Sequence, residues 1–226
     1  MAGIEMNFSR GTVKGSPYLG VFCTATDEIA LVPHSAEKRE ARQIEGILGV
    51  KAVRAGIGNS SLMGVLSKGV GMKLAVSSLI EKEEEKALEK EGIELLKIRG
   101  GYTSTGNLIA MNRHGGIASP LLSEKEISGL AEFFGVKFTQ MKIADHDICG
   151  AGTTVTNKGF ICHPDISEKD FSLLEKIFSV KGMPTTANFG DMFVGNSVIA
   201  NTKGVMAGAN TSGIELSKID EGLRGE

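Results

Sequence analysis

Ile127, Leu130 and Phe134 are spaced i, i+3, i+7, and Phe171, Leu174 and Phe178 repeat that spacing 44 positions later. One buried stripe on a short amphipathic helix produces this pattern. Leu216, Ile219 and Leu223 carry it a third time, and Ala41, Ile44 and Leu48 a fourth. Ser123 with Glu126, and Ser212 with Glu215, have the S-x-x-E spacing of a capping box just before two of these stripes. The wording repeats as well as the pattern: SPLLSEKEISGLAEFFGV (119–136) and HPDISEKDFSLLEKIFSV (163–180) match in proline, in the Ser-Glu-Lys start and in the final valine.

Upstream of each stripe lies a glycine at a near-constant interval. Gly20, Gly64, Gly106, Gly150 and Gly195 follow one another at 42 to 45 positions. After each comes a β-rich run such as NLIAM, TTVT or NSVIA, then a turn such as NRHGG (112–116), NKG (157–159) or NTKG (201–204). Asn and Gly tolerate the positive φ of tight hairpin turns. A second apolar run, the helix, and a third strand such as VKAVRAG or IELLKIRG complete the unit. The chain therefore reads as a single domain of five ββαβ pseudo-repeats anchored at those glycines. No unit buries its helix face alone, so neighbours must share a core. Unit two (EKEEEKALEKEG) is the most charged and weakly patterned.

The two ends complement each other. The last unit stops after its helix without a third strand, and residues 4–15 read as a strand with no helix before it. A ring completed by the N-terminal strand leaves no sheet edge open, whereas an open solenoid calls for capping repeats. The expected fold is α/β, a five-fold propeller with small residues near the axis and helices outside.

Composition narrows the function. With 226 residues, 41% hydrophobic, 23% charged and 30 glycines, the chain has a globular and not a disordered composition. Its formal charge of −2 lacks the cationic surplus of a protein that holds nucleic acid mainly by its phosphates. Three cysteines at no framework spacing fit a reducing compartment. Neither a secretory pattern nor a membrane-length apolar run is visible, so a cytoplasmic protein without membrane partners is expected.

Cys149 lies near His146 and Asp147, which invites a thiolate–imidazole reading. The equivalent positions in the other units are Leu19, Met63, Thr105 and Val194, so a small, mostly apolar place in the repeat explains the cysteine without catalysis. Cys162 and His163 with Cys149 and His146 lack metal-ligand spacing, and GAG (150–152) lacks the rest of a dinucleotide fingerprint. No metal or cofactor is expected. The run 81–91 mixes lysines with its glutamates, as a solvated helix face does.

Four stretches carry a family resemblance: GNSSLMG (58–64), GNLIAMNRHGGIASP (106–120), GAGTTVTNKGFICHP (150–164) and VGNSVIANTKGVMAGANTSGIELSKI (194–219). Through them the whole chain resembles the archaeal translation initiation factor 6 family, which has the pentein fold. The resemblance implies a non-enzymatic monomer that binds the intersubunit face of the large ribosomal subunit near the sarcin–ricin loop. There it blocks small-subunit joining and takes part in large-subunit maturation. The same fold houses guanidino-group hydrolases with a late nucleophilic cysteine, and no cysteine follows Cys162 here.

Binding residues on a ring should fall at equivalent points of several repeats. The positions after the anchors are Val21, Val65, Asn107, Ala151 and Asn196. Three are apolar, so the fold does not demand a polar group there, and Asn107 and Asn196 become candidate contacts. By resemblance Asn107 matches a position the family sets against the large subunit. Lys97 and Arg99, nearby, suit rRNA phosphate or an acidic patch, and Asn59 and Val65 are further carry-overs from the family. A chain without basic surplus also suits basic ribosomal proteins as partners.

Overall fold

The computed structural model describes residues 6–225. Ile4 and Glu5 of the strand stretch expected at 4–15, the three residues before them and Glu226 lie outside the described residues.

Five three-stranded sheets repeat one plan. In unit one Thr24–Ala25 runs antiparallel to Ile29–Pro33, which pairs in parallel with Lys51–Ala55. Units two to four follow with Ser67–Val70, Lys73–Ser77 and Glu94–Ile98, then Ile109–Met111, Gly116–Ala118 and Phe138–Gln140, then Thr153–Val155, Phe160–Cys162 and Gly182–Pro184. In unit five Val198–Ala200 and Gly204–Gly208 form the hairpin, and the third strand is Asn7–Gly11, the N-terminal strand, paired in parallel from Asn7↔Gly204 to Gly11↔Gly208. The five-fold α/β propeller closed by its own N-terminus is thus the observed architecture.

The anchors show how tightly the ring is drawn. A Cβ on Gly64 would lie 1.7 Å from the Gly20 carbonyl oxygen, on Gly106 1.9 Å from that of Gly64, on Gly150 2.2 Å from that of Gly106. Gly195 meets the Gly150 oxygen at 2.4 Å and Gly20 meets the Gly195 oxygen at 2.0 Å, which returns to the start. Each anchor is glycine because the preceding anchor's backbone occupies the space of a side chain.

The helices are Lys38–Leu48, Lys82–Lys90, Glu124–Phe134, Glu168–Phe178 and Gly213–Arg224. Both expected capping boxes form, with the Ser123 and Ser212 hydroxyls accepting from the Glu126 and Glu215 N–H groups. Of the stripes, Ala41, Ile44 and Leu48 are buried throughout, whereas Ile127, Phe134, Phe171 and Leu216 are half-buried at the rim of their units. Cores are shared as expected: Ile199 and Met206 of unit five pack with Leu19, Val32 and Ile44 of unit one. In unit two only Leu88 of the helix is buried, and Glu81 and Glu84 supply a capping box in place of serine.

One feature differs from the sequence expectation. Four anchors sit not at strand starts but inside one-turn helices, Leu19–Phe22, Met63–Leu66, Thr105–Leu108 and Val194–Ser197. Unit four has a hydrogen-bonded turn there, closed by Gly152 N–H to the Ile148 carbonyl at 3.2 Å. A four-residue helix is too short to write a period into the sequence.

Candidate functional site

The strand directions give the ring two unlike ends. The hairpin turns and helix C-termini share one end. The inter-unit loops, helix N-termini and anchors share the other.

The hairpin end is knitted together. The Asn112 amide donates to the Thr156 and Phe178 carbonyls at 3.0 and 2.9 Å, and the Asn201 amide to those of Thr26 and Leu48 at 3.0 and 2.8 Å. The Asp27 carboxylate accepts from the Thr202 N–H and hydroxyl at 2.8 and 2.7 Å and from the Asn157 amide at 2.7 Å. Burial opposes its charge, and those bonds outweigh burial, so its carboxyl is held below the ordinary aspartate range. Polar groups here are committed to the fold.

The anchor end is built differently. Tyr18, Tyr102, Phe189 and Met192 are exposed in inter-unit loops, and Phe189 is 83% accessible. Leu79 and Leu121 are exposed in loops that enter helices, and Ile214 opens the last helix at 76%. These are all of the exposed large hydrophobic side chains among the described residues, and they share this end.

The sequence-predicted residues divide here. Asn107 lies in the unit-three anchor helix, its carbonyl accepting from the Gly150 N–H at 2.8 Å, while its side-chain amide makes no hydrogen bond within the described residues. Asn196 occupies the equivalent place in unit five, half-buried, with its amide equally uncommitted. Val65 is half-buried at that position of unit two. Arg99 is exposed at the exit of the unit-two edge strand Glu94–Ile98, where the chain passes into unit three. Lys97 is already paired with Glu85 at 2.5 Å. Asn59 is also occupied: it takes the left-handed φ of 56° in a turn, and its amide donates to Glu81 at 2.7 Å.

Unit three departs from the other four in a way that single residues did not signal. In units one, two, four and five the inter-unit loop closes by a short bridge, Val13↔Ser16, Ile57↔Ser60, Ile143↔His146 and Ala187↔Asp191. The capping-box carboxylate of the next helix often serves that turn: Glu84 accepts from the Gly58 and Asn59 N–H groups at 2.7 and 2.9 Å. Glu215 accepts from those of Phe189 and Gly190 at 3.2 and 2.8 Å. In unit three Arg99-Gly100-Gly101-Tyr102 forms no such bridge, and the buried Glu126 Oε1 has no partner. A groove of about 330 Å³ opens there, lined by Leu96, Ile98, Arg99, Lys125, Glu126 and Gly129. The legible signal was the replacement of I-G-N-S (57–60) by R-G-G-Y (99–102).

The cysteine candidates form no nucleophilic pair. Cys149 is fully buried, its thiol donates to the Leu108 carbonyl at 3.1 Å, and burial pushes its pKa up to about 12. Burial likewise pushes Cys162 up to about 12 and raises Cys23 further. His146 packs its ring against His163 and Phe193 at 5.5 and 5.1 Å instead of meeting Cys149. His163 is buried, accepts from the Asp165 N–H at its Nδ1, and is held below the usual histidine range by burial, so it sits neutral. No cluster of three or more His, Cys, Asp or Glu suited to a metal occurs among the described residues, and no helix there is long and apolar enough to cross a membrane. Iodoacetamide at pH 7 should therefore leave all three thiols unmodified in the folded protein and alkylate them in urea, read by intact mass. Fast labelling of Cys149 in the folded state would contradict the burial argument.

A family model described as the eIF-6 family matches residues 8–222. The chain is 33% identical over 224 residues to "Translation initiation factor 6" of Pyrococcus horikoshii, which covers 96% of this chain and 99% of the relative. It is 34% identical to the protein of the same description from Staphylothermus marinus, covering 97% and 99%. Among solved structures, a dimethylarginine dimethylaminohydrolase aligns over 92% of this chain and 73% of its own at 14% identity and a TM-score of 0.46.

Proposed function

The chain belongs to the eIF-6 family, and from that premise we propose that this translation initiation factor binds the large ribosomal subunit through the anchor end of its ring. Bound to the intersubunit face, it keeps the small subunit from joining prematurely, and the same occupancy suits a role in late large-subunit maturation. The observation that carries the choice of face is the confinement of every exposed large hydrophobic side chain among the described residues to that end. Protein interfaces place such residues at a core surrounded by a polar rim. Asn107 and Asn196, with uncommitted amides, stand beside them. Arg99, with no ion pair among the described residues, adds a cation for a local acidic or phosphate contact.

The activity is binding, without a chemical step. A guanidino hydrolase needs an accessible thiolate next to an imidazole, and Cys149 has neither the exposure nor the partner. Incubation with arginine or agmatine should yield no citrulline-type product.

Asn107→Asp adds a charge where the amide has no bond among the described residues to lose. Its affinity for isolated archaeal large subunits, followed with a fluorescent label, should fall about tenfold with the melting temperature unchanged. Unaltered affinity would remove Asn107 from the interface. Loss of binding by neither Asn107→Asp nor Asn196→Asp would move the contact off this end.

A further inference from the structure

The fourth position after each anchor is Thr24, Lys68, Ala110, Thr154 and Ile199. Four are neutral, so the repeat itself has no use for a charge there. Lys68 is nevertheless a lysine on the innermost strand of unit two, largely enclosed by protein, and it lines a cavity on the ring axis. All five units line that cavity, among them Cys23, Thr24, Met111, Thr154 and Ile199. Its volume is about 30 Å³, room for two or three water-sized occupants.

The ammonium has nothing to balance it. No hydrogen bond or ion pair of Lys68 exists among the described residues. The hydroxyls beside it are spent elsewhere: Thr24 donates to the Met63 and Ser67 carbonyls, and Thr154 to that of Val198. Asp27, an acid on the axis, lines a neighbouring cavity at the hairpin end, and its oxygens are taken by Thr202 and Asn157. Burial holds the Lys68 pKa down to about 8, so the group is mostly charged at neutral pH while being poorly solvated. Buried charges in folded proteins are paired, and here the described residues supply no counter-charge.

We propose that the axial cavity beside Lys68 is a binding site for a small monovalent anion of about chloride size, held by the Lys68 ammonium. The small volume excludes nucleotides and polyphosphates. The anion neutralises the Lys68 charge inside the ring and so couples ring stability to anion concentration.

The test is thermal melting at pH 7 in sodium chloride against sodium gluconate at equal ionic strength, for the native protein and K68M. Chloride at about ten times its dissociation constant should raise the native melting temperature by about 3 °C, and K68M should lose that response. A direct readout needs no variant: crystals of the native protein soaked in bromide should show an anomalous peak within hydrogen-bonding reach of Lys68 Nζ. An equal chloride response in both proteins, or a bromide-soaked cavity without a peak, would overturn the site and leave water as the occupant. Should K68M fail to fold, the bromide map decides alone.

Discussion

Gly64→Ala should cost about 4 kcal/mol and lower the melting temperature by about 12 °C, a large effect for one methyl group. The added Cβ would lie 1.7 Å from the Gly20 carbonyl oxygen and 2.5 Å from that of Cys23. Both obstacles are backbone, so no side chain can swing aside. Relief requires unit two to move off the axis, and the ring passes that movement to its other anchors. Conformational preference works the other way, since Gly64 has no positive φ and stands in a helical turn where alanine is favoured. The loss therefore measures the close approach itself. Gly46→Ala is the matched control: it lies in the helix Lys38–Leu48, and nothing is within 4 Å of the new Cβ. That change should stabilise by about 0.5–1 kcal/mol. Equal and small effects at both sites, measured by urea unfolding, would mean that the anchors are not in contact.

Glu215→Ala is the second large effect expected, about 3 kcal/mol with a fall of about 9 °C. Glu215 is nearly buried, and its carboxylate accepts from the Ser212, Phe189 and Gly190 N–H groups and from the Thr186 hydroxyl. Burial opposes its charge, but those donors overcome burial and hold its pKa at about 2, against 4.5 for a free glutamate. A carboxyl depressed on folding stabilises above its unfolded pKa, and the benefit disappears as pH falls through the folded value. The stability gap between the native protein and Glu215→Gln should therefore be constant above about pH 5 and close between about pH 4.5 and 2. A gap independent of pH over that window would show that Glu215 acts by shape alone. The substitution also frees the loop that carries Phe189 and Met192, so large-subunit affinity should weaken with stability.

The helix stripes at Leu130, Leu174 and Ile219 were legible because one buried face imposes a period on the sequence. Closure by residues 7–11 was legible because a missing strand and a surplus strand must meet. The anchors could be found as spaced glycines, yet not as contacts with one another, since close approach of two backbones writes only the absence of a side chain. Of the candidate residues, Asn59 has a structural duty as well, since its residue type also serves the left-handed turn and the bond to Glu81. Asn107 carries no such duty. The second task of Glu84 and Glu215, serving the preceding loop as well as their own helix, was invisible because it joins segments 25 or 26 residues apart. The same blindness hid the open edge of unit three, where Glu126 has the residue type but not the donors. The seven exposed large apolar side chains among the described residues were unremarkable one by one in the sequence, and only the shared direction of the loops gathers them on one end.

The most direct test is sucrose-gradient sedimentation with purified archaeal ribosomal subunits, brought to a magnesium concentration that drives joining. The protein should travel with the large subunit alone and shrink the joined peak in proportion to its occupancy. Asn107→Asp, at the same concentration, should do both less. A protein that stays at the top of the gradient, or that rides on joined ribosomes without reducing them, would contradict binding at the intersubunit face.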